Sequence, residues 1–526
     1  MSNGNMGQKF TPVTAHHKYY DGLNPLVAQF CLQYHGFACP DFTAAPACEF
    51  AVQTGDNILI HATSGNSQWY GVESDPSLLN ETLHSKRRNK LELELSFSAL
   101  NALDEIASWP QFAFIGVNGD WCKLEKSSQE AILNFVKAHL QVGGVFYLSY
   151  SSATSLQSMQ PFQELLQQYA ATEMPAAKAQ TNAFKDIALF LGNVAQANPL
   201  YLHYHADAFP KLVNLLQSSE KDIQSSYLTP AWNPSFFNEI VHQLASSDLS
   251  FACSANYARD LNNSLLESKE HSWIKRFAGT PLLDVIVDSL ALTSNRCDYF
   301  IRTEASEKDV PAIATPMVTG EALLAMQREL TMVSPVLEPD LANKMQVQTL
   351  TEQEQALMIA LMELMGDTKV RSLGEICDTL AQQGFKAEEC LATIANLIYL
   401  KLLAPAKRLE NVSKEVKERC QRFNKNLLQE QRFKQVISLA SPVKQGAVEI
   451  DQMLQILLFI YCREPKIKPA NLAKAAAKIL VEQKAYLQKD DSIVSTLEEL
   501  SELLQEREVE KFFSKMLPFC KSLLLV

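Results

Sequence analysis

The chain has 526 residues, 47% of them hydrophobic and 20% charged, which is the composition of an ordinary globular protein but more length than one hydrophobic core can organise. Its formal net charge of -12 opposes the phosphate backbone of nucleic acid, whose recognition rests on clustered Lys and Arg, so nucleic acid is set aside as a partner. The 11 cysteines form no Cys-x-x-Cys pair and no spaced His pair accompanies them, so reduced thiols are expected and a metal centre is not.

The opening Met1-Ser2-Asn3-Gly4-Asn5-Met6-Gly7 lacks the basic and apolar regions of a secretory signal, so a cytoplasmic protein is expected. Short apolar runs then alternate with helix-like segments, the pattern of a parallel sheet covered on both faces. Strands are expected at Ala47 to Ala51, Gln68 to Glu73, Leu91 to Leu95, Phe112 to Val117 and Val145 to Tyr150, and their succession points to a doubly wound α/β sheet. From Ser152 the chain turns helical and polar, and a helical insertion is expected over about 155–225. A helix over Pro234 to Ala245 and strands at Leu249 to Cys253 and Asp298 to Arg302 are expected to complete the same sheet as an antiparallel edge pair. The Rossmann-like unit so read runs over 1–305.

A stretch rich in Pro, Thr and Met, 306–349, reads as a linker holding one helix. Thr351-Glu352-Gln353-Glu354 and Ser372-Leu373-Gly374-Glu375 each match the capping box, in which a hydroxyl and a carboxylate satisfy opposite free amides at a helix start. Helices over Glu352 to Met365, Leu373 to Gln383 and Ala387 to Leu402 give 350–406 the spacing of a winged-helix-like bundle, read on this acidic chain as a scaffold or a presenter of substrate. The remainder, 407–526, is expected to be an all-helical C-terminal domain. Its basic stretch Lys407 to Lys425 is interleaved with Glu410, Glu415 and Glu418 and reads as a solvated face. Its most apolar window, Met453 to Cys462, is shorter than the ~20 residues a membrane helix needs, so no membrane span is expected.

Nucleotide-like ligands on a doubly wound sheet lie outside the carboxyl ends of the strands, where a tight turn lets them approach the backbone. After the first strand the chain reads Glu49-Phe50-Ala51-Val52-Gln53-Thr54-Gly55, with one glycine of a glycine-rich turn. The second strand, Trp69-Tyr70-Gly71-Val72-Glu73, ends in a carboxylate able to accept hydrogen bonds from both ribose hydroxyls; a plain surface glutamate is the competing reading. His203-Tyr204-His205 with Asp207 lacks a third convincing ligand and reads as packing. His16-His17 reads as part of an N-terminal arm that could order over the cofactor, and Lys86-Arg87-Arg88 as a solvated turn.

These segments, with Tyr19-Tyr20-Asp21-Gly22-Leu23-Asn24-Pro25 before them, resemble bacterial S-adenosylmethionine (SAM)-dependent methyltransferases that carry a methyltransferase regulatory domain. Further matches are Phe114-Ile115-Gly116-Val117-Asn118-Gly119-Asp120-Trp121, Val142 to Tyr150, Leu228 to Phe237, Leu249 to Ala255 and Leu439-Ala440-Ser441-Pro442-Val443. Rickettsial protein-lysine methyltransferases that modify outer-membrane proteins are similar to this group. The resemblance implies a class I methyltransferase fold and methyl transfer from SAM to lysine side chains of a protein, an outer-membrane or surface protein among the candidates. It also implies that Glu49 and Gly55 flank the cofactor turn, that Glu73 holds the ribose, that Ser96 stands near the adenine, and that Asn118 to Trp121, Gly119 included, lie beside the methionine moiety. The family turn is Glu-x-Gly-x-Gly-x-Gly, and here Ala51 and Gln53 replace its first two glycines.

A lysine acceptor must lose its proton, because its free pKa of about 10.4 leaves almost no neutral amine at pH 7. Burial beside aromatic rings and a hydrogen-bond acceptor lowers such a pKa, and Tyr20, Asn118, Asp120, Trp121 and Tyr150 are the candidates for that pocket, with core packing the competing reading for each aromatic. The helical insertion offers, by position, a surface for a homodimer. The competing view of the whole chain is a catalytically degenerate interaction scaffold that kept the fold after its glycine turn decayed.

Overall fold

The computed structural model describes residues 19–42, 45–98, 100, 103, 106–173, 183–197, 200–216, 232–256, 272–277, 279–304, 313–337, 351–431, 435–489 and 492–526. Two compact units are present: Met1–Phe97 with Tyr257–Asn262 and Pro316–Val526, and Ser98–Asn256 with Asn263–Thr315. The first unit carries three strands in the order β3-β2-β1, with β1 (Ala47–Phe50), β2 (Trp69–Glu73) and β3 (Leu93–Phe97), and the second carries four in the order β4-β5-β7-β6, with β4 (Phe112–Asp120), β5 (Leu140–Ser151), β6 (Leu249–Ser254) and β7 (Asn295–Arg302). β1, β2 and β3 pair in parallel, as do β4 and β5, while β7 runs antiparallel to both β5 and β6. Every residue of β1 and β2 is buried, as are Phe112 to Asn118 of β4, the signature of strands covered on both faces. The third strand begins two residues later than the apolar run had suggested.

In the first unit, α1 (Pro25–Tyr34) starts on Asn24, whose side chain accepts from the Leu26 amide at 2.9 Å. Helix α2 (Asp56–Ser64) springs from Gly55, and α3 (Pro76–Asn89) from Asp75, which accepts from the Ser77 amide at 2.7 Å. Lys86, Arg87 and Arg88 fall in the last turn of α3, where cations complement the exposed carbonyls.

The second unit carries α4 (Lys126–His139) and, after β5, a run of helices: α5 (Gln160–Glu173), α6 (Ala183–Gln196), α7 (Leu200–Tyr204) and α8 (Ala208–Leu216). The described part of the expected insertion is thus helical, and it has its own small core around Phe162, Leu166, Leu191, Leu202 and Leu212. α9 (Phe237–Ala245) and α10 (Pro281–Ala291) precede the edge strands β6 and β7. At the start of β7, Arg296 is fully buried among carboxylates. It bonds to Asp298 at 2.8 and 3.2 Å, to Asp288 at 2.9 Å and to Asp284 at 3.0 Å, and its guanidinium carbon lies 4.1 Å from the centre of the Phe237 ring.

The first unit resumes with α11 (Gly320–Glu329) and β8 (Thr331–Val333), both within the stretch read as a linker. α12 (Glu352–Met365), β9 (Arg371–Ser372), α13 (Leu373–Ala381), α14 (Ala387–Tyr399) and β10 (Ala404–Pro405) follow, and the three short strands pair in the order β10-β8-β9. Both capping boxes form: Thr351 Oγ1 accepts from the Glu354 amide while the Thr351 amide donates to Glu354, and Ser372 and Glu375 do the same. The C-terminal region is largely helical, with α15 (Lys414–Gln431), α16 (Gln452–Arg463), α17 (Pro469–Glu482), α18 (Leu497–Leu504) and α19 (Leu517–Ser522). It also holds two hairpins that the sequence reading did not separate from the helices, β11 (Val436–Ser441) with β12 (Gly446–Asp451) and β13 (Leu487–Lys489) with β14 (Ser492–Val494). Asn424 of α15 ties this region together: its side chain donates to the carbonyls of Ala440 and Leu525 at 2.9 Å and accepts from the Ala440 amide at 2.8 Å.

The Arg296 cluster predicts a large mutational effect. Arg296→Met leaves buried carboxylates without their counter-charge, and should destabilise the second unit by roughly 3–5 kcal/mol in denaturant unfolding. A loss under ~1 kcal/mol would show that the cluster does not hold this unit together.

Candidate functional site

In the first unit the chain turns sharply after β1. Ala51, Gln53 and Gly55 all have left-handed backbones, with φ of 56, 55 and 80 degrees. Left-handed φ at alternate positions is what glycine makes cheap, and here two non-glycine residues adopt it. Hydrogen bonds hold the turn: the Val52 amide donates to Val72 O at 3.3 Å, and the Gly55 amide to Val52 O at 2.8 Å. Gln53 is exposed. A side chain at Gly55 would meet Thr82 of α3 at 2.5 Å, so glycine is required there by space as well as by φ.

Glu73, at the end of β2, is 3% exposed. Its carboxylate accepts from the amides of Gln53 at 2.7 Å, Ser74 at 2.9 Å and Asp75 at 3.0 Å, and so joins the turns that follow β1 and β2. Burial raises its pKa despite these three donors. Glu49 is fully buried in β1, opposite Gly71. Ser96 lies in register with Val72 and is half-buried, while Ser98 is buried.

The helix that leaves this turn is covered on all sides: Asn57 to Ser64 of α2 are all buried. The Tyr20 amide donates to Asn57 Oδ1 at 2.8 Å, and the Tyr20 ring is 42% exposed. Tyr19 is buried, and its hydroxyl lies 2.8 Å from His61 Nε2, with the His61 ring stacked on Trp69. Burial pushes the Tyr19 phenol well above its usual value and the His61 imidazole down to about 3, so both are neutral groups. At the far end of α2, Arg419 of α15 donates to the carbonyls of Thr63, at 2.9 Å, and Gly65. Asn57, His61 and Arg419 were not singled out from the sequence; the only signal was an asparagine and a histidine inside an otherwise apolar helix.

In the second unit, Asn118 is buried and Gly119, with φ of 118 degrees, has nothing within 4 Å of an added Cβ. The remaining acceptor-pocket candidates on β4 and β5 are engaged in structure. Asp120 accepts from the amides of Cys122 and Ser151, each at 3.0 Å, from Trp232 Nε1 at 3.3 Å and from the Ser151 hydroxyl, so it clamps the ends of β4 and β5 to Trp232. Trp121 is 1% exposed, and its indole donates to Gln243 at 3.2 Å. Tyr150 is likewise 1% exposed, and its hydroxyl donates to Asp298 at 2.9 Å inside the Arg296 cluster. The expectation of an aromatic acceptor pocket therefore gives way, for Trp121 and Tyr150, to core packing with a satisfied polar tip.

Asp207 pairs with Lys211 at 2.8 Å beside exposed His203 and His205, and no metal-holding group of His, Cys, Asp and Glu occurs among the described residues. None of the 11 cysteines is paired in a disulfide. No described helix is long and apolar enough to cross a membrane. His16-His17 lies outside the described residues.

Comparison with known proteins agrees with this architecture. Residues 223–302 match the family model described as a predicted methyltransferase regulatory domain. The fold matches PKMT2 from Rickettsia typhi in complex with AdoHcy with a TM-score of 0.68, over 94% of this chain and 97% of that one, at 14% identity. A second structure of PKMT2 from Rickettsia typhi gives 0.67 over 97% and 99%, at 13% identity. By sequence, the uncharacterized protein sll1526 of Synechocystis sp. is 24% identical over 262 residues, 48% of this chain and 50% of that protein, so the match spans half the length of the curated relative. The fold is the Rossmann-like methyltransferase fold with a large, mainly helical C-terminal region, and the chain resembles the rickettsial group.

Two outcomes follow from the turn and its helix. Gly55→Ala should lower stability by roughly 1–3 kcal/mol in urea unfolding, with part of the loss recovered by adding Thr82→Ala; no change would mean that the turn is not held as described. His61 titrates at about 3 when folded against 6.5 when free, so below about 6.5 the unfolded chain binds the extra proton. Stability should then fall with acidification by up to ~1.4 kcal/mol per pH unit, and His61→Gln should flatten that slope. An unchanged slope in the variant would count against the buried neutral imidazole.

Proposed function

We propose that the chain is a SAM-dependent methyltransferase that modifies lysine side chains of a protein. The observation that carries this reading is the turn at 49–55. It keeps the left-handed backbone of a glycine-rich cofactor turn at Ala51, Gln53 and Gly55, and it is bonded to the buried carboxylate that closes β2. The residues present fit a sulfonium nucleoside. Glu73, whose two oxygens offer about four acceptor sites, uses three of them on backbone amides, and Gln53 beside it is exposed. Glu73 would take the ribose hydroxyls, with the backbone of the turn beside it and Glu49 and Ser96 as further contacts.

SAM supplies an electrophilic methyl group. What the protein must add is position, exclusion of water and an acceptor for the amine proton. Asn118, Gly119 and Tyr20 are the groups we assign to that side, Gly119 because its surroundings leave room and Tyr20 because its ring reaches solvent while its backbone is fixed to Asn57. Asp120, with four donors on its carboxylate, is assigned to holding β4 and β5 in place. Unit 350–406, read as winged-helix-like, and the region after it would present a protein substrate, an outer-membrane or surface protein being one class. We place the reaction in the cytoplasm, with the helical insertion as a dimer surface. The scaffold reading is the weaker one, because a decayed turn would have no reason to keep φ of 56 and 55 degrees at two non-glycine residues.

Calorimetric titration with SAM and with its demethylated product tests this. Both should bind, and Glu73→Ala should weaken binding by at least ~10-fold, as expected when hydrogen bonds to a charged acceptor are removed. Absence of binding at millimolar ligand would sink the enzyme reading, and unchanged affinity in Glu73→Ala would move the pocket elsewhere.

A further inference from the structure

The first unit holds a cavity of about 570 Å³ distinct from the turn at 49–55. This is the size of an ordinary small-molecule site. Its floor is apolar, with Val27, Leu403, Val448, Ile450, Leu454 and Met516 all buried. Three lysines line the cavity, Lys401, Lys444 and Lys511, and of these Lys444 is the buried one. The Lys444 side chain is 9% exposed, and its ammonium donates to Ala447 O at 2.7 Å, while Asp21 Oδ1 stands 3.8 Å away, beyond hydrogen-bond reach. An ammonium carries three donors, and among the described residues this one makes a single hydrogen bond. The carboxylates that also line the cavity, Asp21, Glu449 and Asp451, reach solvent and belong to its rim. A buried ammonium with donors to spare, set in apolar walls, selects an anion with an apolar body.

Two further features point to the same place. Met516 ends a π-helical turn, Phe512–Met516, which follows another at Gln505–Val509, and such turns recur at functional sites. The cavity wall is also connected to α2. Tyr19 lines the cavity and bonds to His61, and the next residue, Tyr20, bonds through its amide to Asn57. Both anchors lie on the helix that starts at Gly55.

We infer that this cavity binds an aliphatic carboxylate, with its chain on the apolar floor and its carboxylate on Lys444, and that occupation changes affinity at the 49–55 turn. The second half rests on the reading of that turn as the SAM site; the first half does not. The test uses the full chain with decanoate and, as an uncharged partner of equal length, 1-decanol. Calorimetry should show saturable decanoate binding at least ~10-fold tighter than decanol, the discrimination one charge-assisted hydrogen bond gives. Lys444→Met should erase that preference, and saturating decanoate should shift the SAM dissociation constant by ~5-fold or more. Equal binding of the two ligands, no saturation below the concentration at which decanoate self-associates, or an intact preference in Lys444→Met would overturn the site. Decanoate binding with no shift for SAM would overturn the coupling alone. If SAM does not bind at all, the methyltransferase reading fails while the decanoate result stands. Should Lys444→Met not fold, the comparison of the two ligands on the unaltered protein still decides.

Discussion

A carboxylate removed from water must be compensated by donors, and at Glu73 that requirement organises the end of the sheet. Its three partners are main-chain amides from two separate turns, so burying the charge fixes the turn after β1 relative to the turn after β2. The pKa of the group is nevertheless raised, with desolvation as its first cause. The three amides lower it, and burial outweighs them.

The same end of the sheet is held through α2. In a doubly wound sheet the outer face of a helix usually meets water, which leaves a polar stripe in its sequence. Here the polar residues at that spacing, Asn57, His61 and Ser64, are covered with the rest of the helix. Tyr19 packs on one part of α2 and Arg419 binds the carbonyls at its end. The β11–β12 hairpin is involved as well: a side chain at Gly446 would come within 2.4 Å of the Tyr19 hydroxyl, so only glycine lets the hairpin approach. The C-terminal elements are therefore part of what positions the turn after β1, and not an addition beside it.

How much of this was legible varies with the physics involved. β1, β2 and β4 stood out because strands covered on both faces are continuous apolar runs, and the two capping boxes stood out because each is a four-residue code. Glu73 was visible as an acid that interrupts such a run. Tyr150 and Trp121 were not separable into pocket or core, since an aromatic with a polar tip suits both, and the deciding partner of Tyr150 is 148 residues away. The Arg296 cluster had a faint signal, Asp284 and Asp288 one turn apart in the apolar helix α10, but nothing local says that an arginine will meet them. Likewise Val436–Ser441 is an apolar run too short to be told from a buried helix by periodicity, so the hairpins stayed hidden.

The replacement of two turn glycines shows most clearly what a sequence pattern conflates. Glycine serves such a turn in two ways, by allowing left-handed φ and by leaving space for a ligand. Ala51 and Gln53 keep the first at a strain of roughly 1–2 kcal/mol each, held by the Val52 and Gln53 amide bonds to Val72 and Glu73. Ala51 adds one buried methyl group, and Gln53 is exposed. The strain of the two substitutions is therefore charged to the stability of the fold.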